Sequence, residues 1–267
     1  MPTTLLIDLD DTLLLNPMET FIPAYLDMLS EHLSNFVEPG KTVKQLLWAT
    51  TQMSQNKRPD CTLKEIFDSL FYPSLQISQE AVRVALDEFY RDIFPGLKRF
   101  TRPRPGADEF LAEAIARGYS LAIATNPLFP ETAIQQRIKW AELPYDGFPF
   151  AIVPSYETFH YAKPDPAYIA ELMAKIGWPD GSVVMVGNDA TLDISPAIGL
   201  GVNAFWAPVD EAELGKDITG GVGKGDISKF FDWFDRNGVE TSQPDYNNPE
   251  SLLAILRSTP AALDSFY

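Results

Sequence analysis

The chain of 267 residues has a single cysteine, Cys61, so no intrachain disulfide framework can form and a reducing, cytoplasmic setting is expected. Cations are scarce: 21 Lys and Arg stand against 37 Asp and Glu, a formal net charge of -16. That excess repels phosphate backbones and anionic lipid, which argues against nucleic acid or a membrane surface as a general partner. No apolar run is long enough to cross a bilayer, and Asp8 interrupts the first apolar stretch too early for a secretory leader. Internal repeats and low-complexity tracts are missing as well. The expectation is a soluble intracellular protein whose 45% hydrophobic content suffices for one sizeable core and a second, smaller unit. Any anionic substrate would need local cations.

What is present begins with LLIDLDDTLL. Leu5, Leu6 and Ile7 suit a central parallel strand covered on both faces. Beyond the carboxyl ends of such strands lies the crevice where open α/β sheets bind ligands. Asp8 and Asp10, two apart on an extended chain, point the same way and can flank one reacting group, with Asp11 directed elsewhere. By themselves Asp10, Asp11 and Thr12 read as the opening of a turn.

From Pro17 to about Phe94 the apolar spacing is helical, as in Phe21, Tyr25, Met28 and Leu29, and no strand pattern stands out. After PRPG (103–106) a helix over Ala107–Ala116 ending at Gly118 opens an alternating β/α series. Its predicted strands are Leu121–Ala124, Phe150–Val153, Ser182–Val186 and Val202–Trp206, with helices over Pro166–Ile176 and Ile194–Ile198. The fold class is therefore α/β. It is read as a Rossmann-like parallel sheet (1–16 and 100–206) with an inserted α-helical cap (17–99), followed by an extension (207–267) packed on the core. Within that extension ITGGVGKGD (218–226) and TSQPDYNNPE (241–250) read as exposed connections, Phe230, Phe231, Trp233 and Phe234 as a packing face, and Pro249–Arg257 as a helix. Cys61 reads as a packing residue of a cap helix.

Three further polar signals stand at strand ends or adjoining loops. Thr125 and Asn126 follow LAIA, Lys163 lies in HYAKPDP, and Asn188, Asp189 and Asp193 follow VVMVG. Singly, each has an ordinary alternative: a helix cap, a solvated lysine, a charged first turn. In this order, LLIDLDDTL, LAIATN, KPDP and VVMVGNDATLDI resemble the haloacid dehalogenase-like (HAD) hydrolase superfamily, of the helical-cap, phosphatase type. The resemblance runs from about Leu5 to Trp206.

The resemblance implies an enzyme, a phosphomonoesterase acting on a small phosphorylated metabolite through an aspartyl-phosphate. Asp8 would be the nucleophile and Asp10 the general acid and base. Thr125, Asn126 and Lys163 would bind the phosphate. Mg2+ would be held by Asp8, by Asp10 through its carbonyl, and by Asp189, with Asp193 behind it; Asn188 stands where the family usually has Asp, so it can exchange roles with Asp189. Dehalogenase or phosphonatase chemistry and a non-catalytic binding protein are the alternatives. Lys57, Arg58, Arg102 and Arg104 are open to two readings, solvated charges or contacts to an acidic substrate. Phe21, Tyr25, Phe71 and Tyr72 are either core or pocket, and His160 either packs its loop or adjoins the site.

Overall fold

The computed structural model describes residues 2–143, 150–215 and 222–237. Strand β1 (Thr4–Ile7) is buried along its whole length. A ribbon strand, β2 (Leu14–Leu15), then leads into four helices: α1 (Met18–His32), α2 (Pro39–Ser54), α3 (Leu63–Leu75) and α4 (Gln79–Glu88). Their starts are written in the sequence. The Glu38 side chain accepts the Gly40 and Lys41 N–H groups ahead of α2, with Pro39 in the first turn, and Thr62 and Glu65 form a reciprocal capping box for α3. Helix α1 buries Phe21, Tyr25 and Leu29, four residues apart on one face.

The chain returns through β3 (Arg102–Pro103), which pairs antiparallel with β2, so the helical block leaves and re-enters the sheet layer at one two-stranded stem. Then follow α5 (Ala107–Ala116), β4 (Ser120–Ile123), α6 (Glu131–Trp140), α7 (Pro166–Lys175), β5 (Val183–Gly187), α8 (Ser195–Gly199) and β6 (Asn203–Trp206). A last strand, β7 (Gly223–Lys224), and helix α9 (Phe230–Asn237) complete the described chain. The five-stranded sheet has the order β4-β1-β5-β6-β7, every neighbouring pair parallel. This is the predicted α/β, Rossmann-like class. Parallel pairing brings all carboxyl ends to one edge, and the ladder runs on past β1: Asp8 N–H donates to Val186 O at 2.9 Å and Ala124 N–H to Ile7 O at 2.6 Å. Among the described residues no helix is long and apolar enough to cross a membrane.

Several expectations are corrected. Phe150–Val153 is not a strand but an edge segment with a single bridge to Leu121, held by Ala151 N–H to Leu121 O at 2.7 Å and Ile123 N–H to Ile152 O at 3.1 Å. Prolines at 149 and 154 bracket it, and a residue without an N–H cannot extend a ladder. The β2–β3 stem had no signal beyond three leucines. Cys61 lies in the loop before α3 rather than in a helix, and its carbonyl accepts from Asn56 Nδ2 at 3.2 Å.

The tract 218–226 is not wholly an exposed connection, because Gly223 and Lys224 form the fifth strand and Gly223 is buried. The missing side chain is the reason: the Trp233 and Phe205 rings close over the place a Cβ would take. Phe230 in turn meets Phe205 edge-on at 5.4 Å and Phe110 at 5.2 Å, so this part of the tail packs on the sheet layer. The tract 241–250 and the helix expected over Pro249–Arg257 lie outside the described residues. Gly223→Val should overpack this contact and lower unfolding free energy by about 1–3 kcal/mol, read from the midpoint of a urea titration, with activity per folded molecule unchanged.

Candidate active site

The strand edge collects charge that would be costly unpaired. Asp8 follows β1 directly and is buried. Lys163, in the loop before α7, is 5% exposed and donates from Nζ to Asp8 Oδ1 at 2.8 Å and to Asp193 Oδ1 at 2.5 Å. Asp193 comes from the wide turn Ala190–Ile194 after β5, and its other oxygen accepts the Asp189 N–H at 3.1 Å. Two carboxylates thus share one ammonium in a dry place. Burial pushes the Asp8 carboxyl up, and the neighbouring Asp193 and Asp10 charges add to it; Lys163 pulls the other way, and the balance is a pKa of about 7. Asp193 is likewise raised by burial against the pull of Lys163. Burial alone would lower Lys163, but Asp193 and Asp8 outweigh it and hold the ammonium above its ordinary range. The cluster is one positive charge short.

Neutral polar groups frame it. The Thr125 carbonyl is tied by the Tyr168 hydroxyl of α7 at 2.7 Å, and Asn126 Oδ1 accepts the Lys163 N–H at 3.2 Å. Thr12 Oγ1 lies 3.0 Å from Asp8 Oδ2 and 3.2 Å from Asn188 Oδ1. One hydroxyl proton cannot serve both acceptors at once. Asp189 spends Oδ1 on the N–H groups of Thr191 and Leu192 at 2.7 and 2.9 Å, capping the turn after β5. Among the described residues no three Asp, Glu, His or Cys side chains converge as a metal cluster. The side-chain oxygens gathered there are instead mixed, the carboxylates of Asp8, Asp189 and Asp193 with the amide of Asn188, carrying surplus negative charge. Such hard donors suit a small divalent cation.

Asp10 is held separately. Asn16 Nδ2 donates to one of its oxygens at 2.8 Å and Arg137 Nη1 to the other at 2.5 Å. Arg137, on α6, has a side chain 2% exposed, its guanidinium 4.7 Å from the Phe129 ring, and no hydrogen-bond partner for Nε or Nη2. All of these groups line one cavity of about 380 Å3 that extends beneath the helical block. Its size falls in the usual range for small-molecule sites, roughly 300–1,000 Å3.

The haloacid dehalogenase-like hydrolase family matches residues 2–201. The chain belongs to that family. A phosphoglycolate phosphatase of Mesorhizobium japonicum is 33% identical over 118 residues, which are 44% of this chain and 48% of the relative. The match therefore spans about half the length of that relative. Two solved structures share the fold: a 2-haloacid dehalogenase from Pseudomonas syringae (TM-score 0.59, 20% identity, 88% of this chain and 99% of that one) and a HAD phosphatase from Thermococcus onnurineus (TM-score 0.52, 19% identity, 86% and 95%). The protein is an enzyme of the hydrolase class.

In this HAD hydrolase the residues singled out from sequence, Asp8, Asp10, Thr125, Asn126, Lys163, Asn188, Asp189 and Asp193, all line the same cavity. The four basic residues named with them do not. Arg104 is buried as a clasp, donating to the carbonyls of Asp11, Ala207 and Pro208. Lys57 pairs with Asp165, Arg58 pairs with Asp60 at 2.9 Å, and Arg102 is exposed. His160 binds Glu171 at 2.7 Å away from the cavity lining. Phe71, Tyr72 and Tyr25 line the cavity, whereas Phe21 is core.

Arg137 is the residue that sequence reading missed. A signal existed: Ile134, Arg137, Ile138 and Ala141 share one helical stripe, so an arginine falls on a buried face where it needs a carboxylate. Gly187, the last residue of β5, is the other. A Cβ there would collide with the Asp193 carboxylate. Gly187→Ala should push Asp193 off Lys163 and cut turnover at least about tenfold, since misplacing a reacting group by about 1 Å can cost up to 10^2-fold. The check is steady-state kinetics on a variant whose circular dichroism matches wild type.

Proposed function

We propose that this enzyme is a divalent-metal-dependent phosphomonoesterase working through an aspartyl-phosphate on Asp8. The observation that carries this reading is the buried Lys163 ammonium shared between Asp8 and Asp193, with Thr125 and Asn126 beside it at the strand edge. A phosphate dianion placed there meets a cation and neutral donors around the carboxylate that attacks it. Asp8 forms the P–O bond as the ester oxygen departs, and Asp10 hands that oxygen a proton. Asp10 then takes a proton from the water that attacks the aspartyl-phosphate, which releases phosphate and regenerates Asp8. Asn16 and Arg137 aim Asp10 by gripping both its oxygens.

Mg2+ fits the donor set and would be held by the Asp8 carboxylate, the Asp10 carbonyl and a third oxygen from the residues after β5. Asn188 is favoured over Asp189 as that third ligand, because its Oδ1 already shares the Thr12 hydroxyl with Asp8 while Asp189 caps a turn. When bound, the ion supplies the positive charge that the cluster lacks, lowers Asp8 from near 7 and screens it from the dianion. The helical segment 17–99 is read as a cap over the core (1–16 and 100–206), excluding water from the intermediate.

Dehalogenation is the second reading, favoured by one observation: both Asp10 oxygens are engaged, and a departing halide needs no proton. Phosphonatase chemistry lacks support, since none of Lys41, Lys44, Lys57 and Lys64 lines the cavity. Asp8→Asn should lower phosphate release from a panel of monoesters, phosphoglycolate included, by about 10^3-fold or more with the fold intact. Halide release from 2-haloacids with silence on every ester would instead establish the second reading. Mg2+ added to chelated enzyme at 100 times its Kd should stabilise it by about 2.7 kcal/mol, read as a rise in Tm. Asn188→Ala should weaken that rise more than Asp189→Ala.

A further inference from the structure

The cavity is divided by polarity. Its floor, at the strand edge, holds every charged residue that lines it: five aspartates, Asp8, Asp10, Asp11, Asp189 and Asp193, against two cations, Lys163 and Arg137. Lys163 is committed to Asp8 and Asp193, and Arg137 pairs through Nη1 with Asp10 while its Nε and Nη2 stay buried beside the floor. The fifteen lining residues that α1 to α4 and the turn after them contribute carry no charge at all. Thr50 and a few tyrosine hydroxyls are their polar atoms, and the hydroxyls of Tyr25 and Tyr90 satisfy each other at 2.9 Å. The remainder is Leu, Ile, Met and Phe, including Ile22, Leu26, Leu29, Leu46, Met53 and Phe71.

We propose that the alcohol released by this enzyme is lipophilic: the substrate is the phosphate monoester of an extended alkyl alcohol whose chain lies against α1, α2 and α3. This rests on the phosphomonoesterase reading and names its substrate class. With phosphate on the floor, the ester oxygen leads directly into the apolar part of the cavity. A substrate with a second anion, such as phosphoglycolate, brings a carboxylate to a wall without a free cation and above a floor with surplus negative charge. A sugar phosphate brings several hydroxyls to a wall that can pair few of them, and each one left unpaired is penalised. An alkyl chain meets neither penalty and gains from every methylene it buries.

The test is a homologous series of ethyl, butyl, hexyl and octyl phosphate set against phosphoglycolate and glucose 6-phosphate, with Mg2+ present. The expected result is a rise in kcat/KM of about threefold to fourfold per methylene until the cavity is full, the value expected from methylene burial. Octyl phosphate should exceed both polar esters. Leu26→Gln, on the half-buried part of α1, should cut kcat/KM for octyl phosphate at least about tenfold and lower ethyl phosphate far less, since a two-carbon chain buries little against α1. Hydrolysis that is dependent on Asp8 but flat along the series, or best with phosphoglycolate or glucose 6-phosphate, overturns this inference and leaves the phosphomonoesterase reading standing. An equal loss on octyl and ethyl phosphate in Leu26→Gln also overturns it. No ester hydrolysis at all overturns both.

Discussion

One buried ammonium organises the strand edge. Lys163 sits between Asp8 and Asp193 with almost no water, and each partner arrives from a different part of the chain: β1, the loop before α7, and the turn after β5. Removing such a charge from water is expensive, and only close opposite charges with good geometry offset that cost. The surrounding structure meets this demand. The Asp8 N–H continues the β1–β5 ladder, Asp193 is anchored by the Asp189 N–H, Tyr168 ties the Thr125 carbonyl, and Gly187 leaves room for the Asp193 carboxylate. Even so the balance is incomplete. Asp8 is held near 7, the electrostatic consequence of burial that one shared ammonium does not fully offset.

The second constraint is separation of tasks by polarity. The charged lining residues come from the strand ends, the loops that follow them and α6, whereas the helical block contributes only uncharged ones, joined by Leu128, Phe129, Pro130, Tyr156 and Leu192 from outside it. The sheet layer and the helical block are connected by the β2–β3 stem, and Arg104 clasps that stem to the carbonyls that follow β6. Arg137 is the exception that links the layers: it rises from α6 to Asp10 while stacking on Phe129. Its cost of burial is offset mainly by Asp10, which couples the orientation of that acid to the packing of the helix behind it.

How much was legible before folding depends on the range of the physics involved. Leu5–Ile7 followed by Asp8 and Asp10 announced a buried strand ending in acids, because alternation and burial are properties of neighbours in sequence. Phe150–Val153 had the same apolar character and failed to become a strand, since the prolines at 149 and 154 stop its pairing with β4 from extending at either end. Gly223–Lys224 failed in the opposite sense. A glycine-rich tract is a loop by composition, yet it is a strand here because Trp233 and Phe205 need the space that a side chain would fill. Arg137 escaped notice for a related reason: its buried stripe was visible, but its partner Asp10 lies 127 positions away.

The sequence by itself determined the α/β class, the order of β1, β4, β5 and β6, and which residues would stand at the carboxyl ends of β1, β4 and β5. These follow from local patterning, capping and the one-handedness of parallel crossovers. Tertiary structure alone decided which of those residues share a proton or a charge: Lys163 between two carboxylates, Asn188 beside Asp8 through Thr12, Asp189 turned to cap its own turn, and Arg137 on Asp10. It also decided that the helical block would present an uncharged wall to the charged strand edge. Such outcomes depend on distances between segments remote in sequence and on how little water remains between them, and neither quantity is written in any local stretch of the chain.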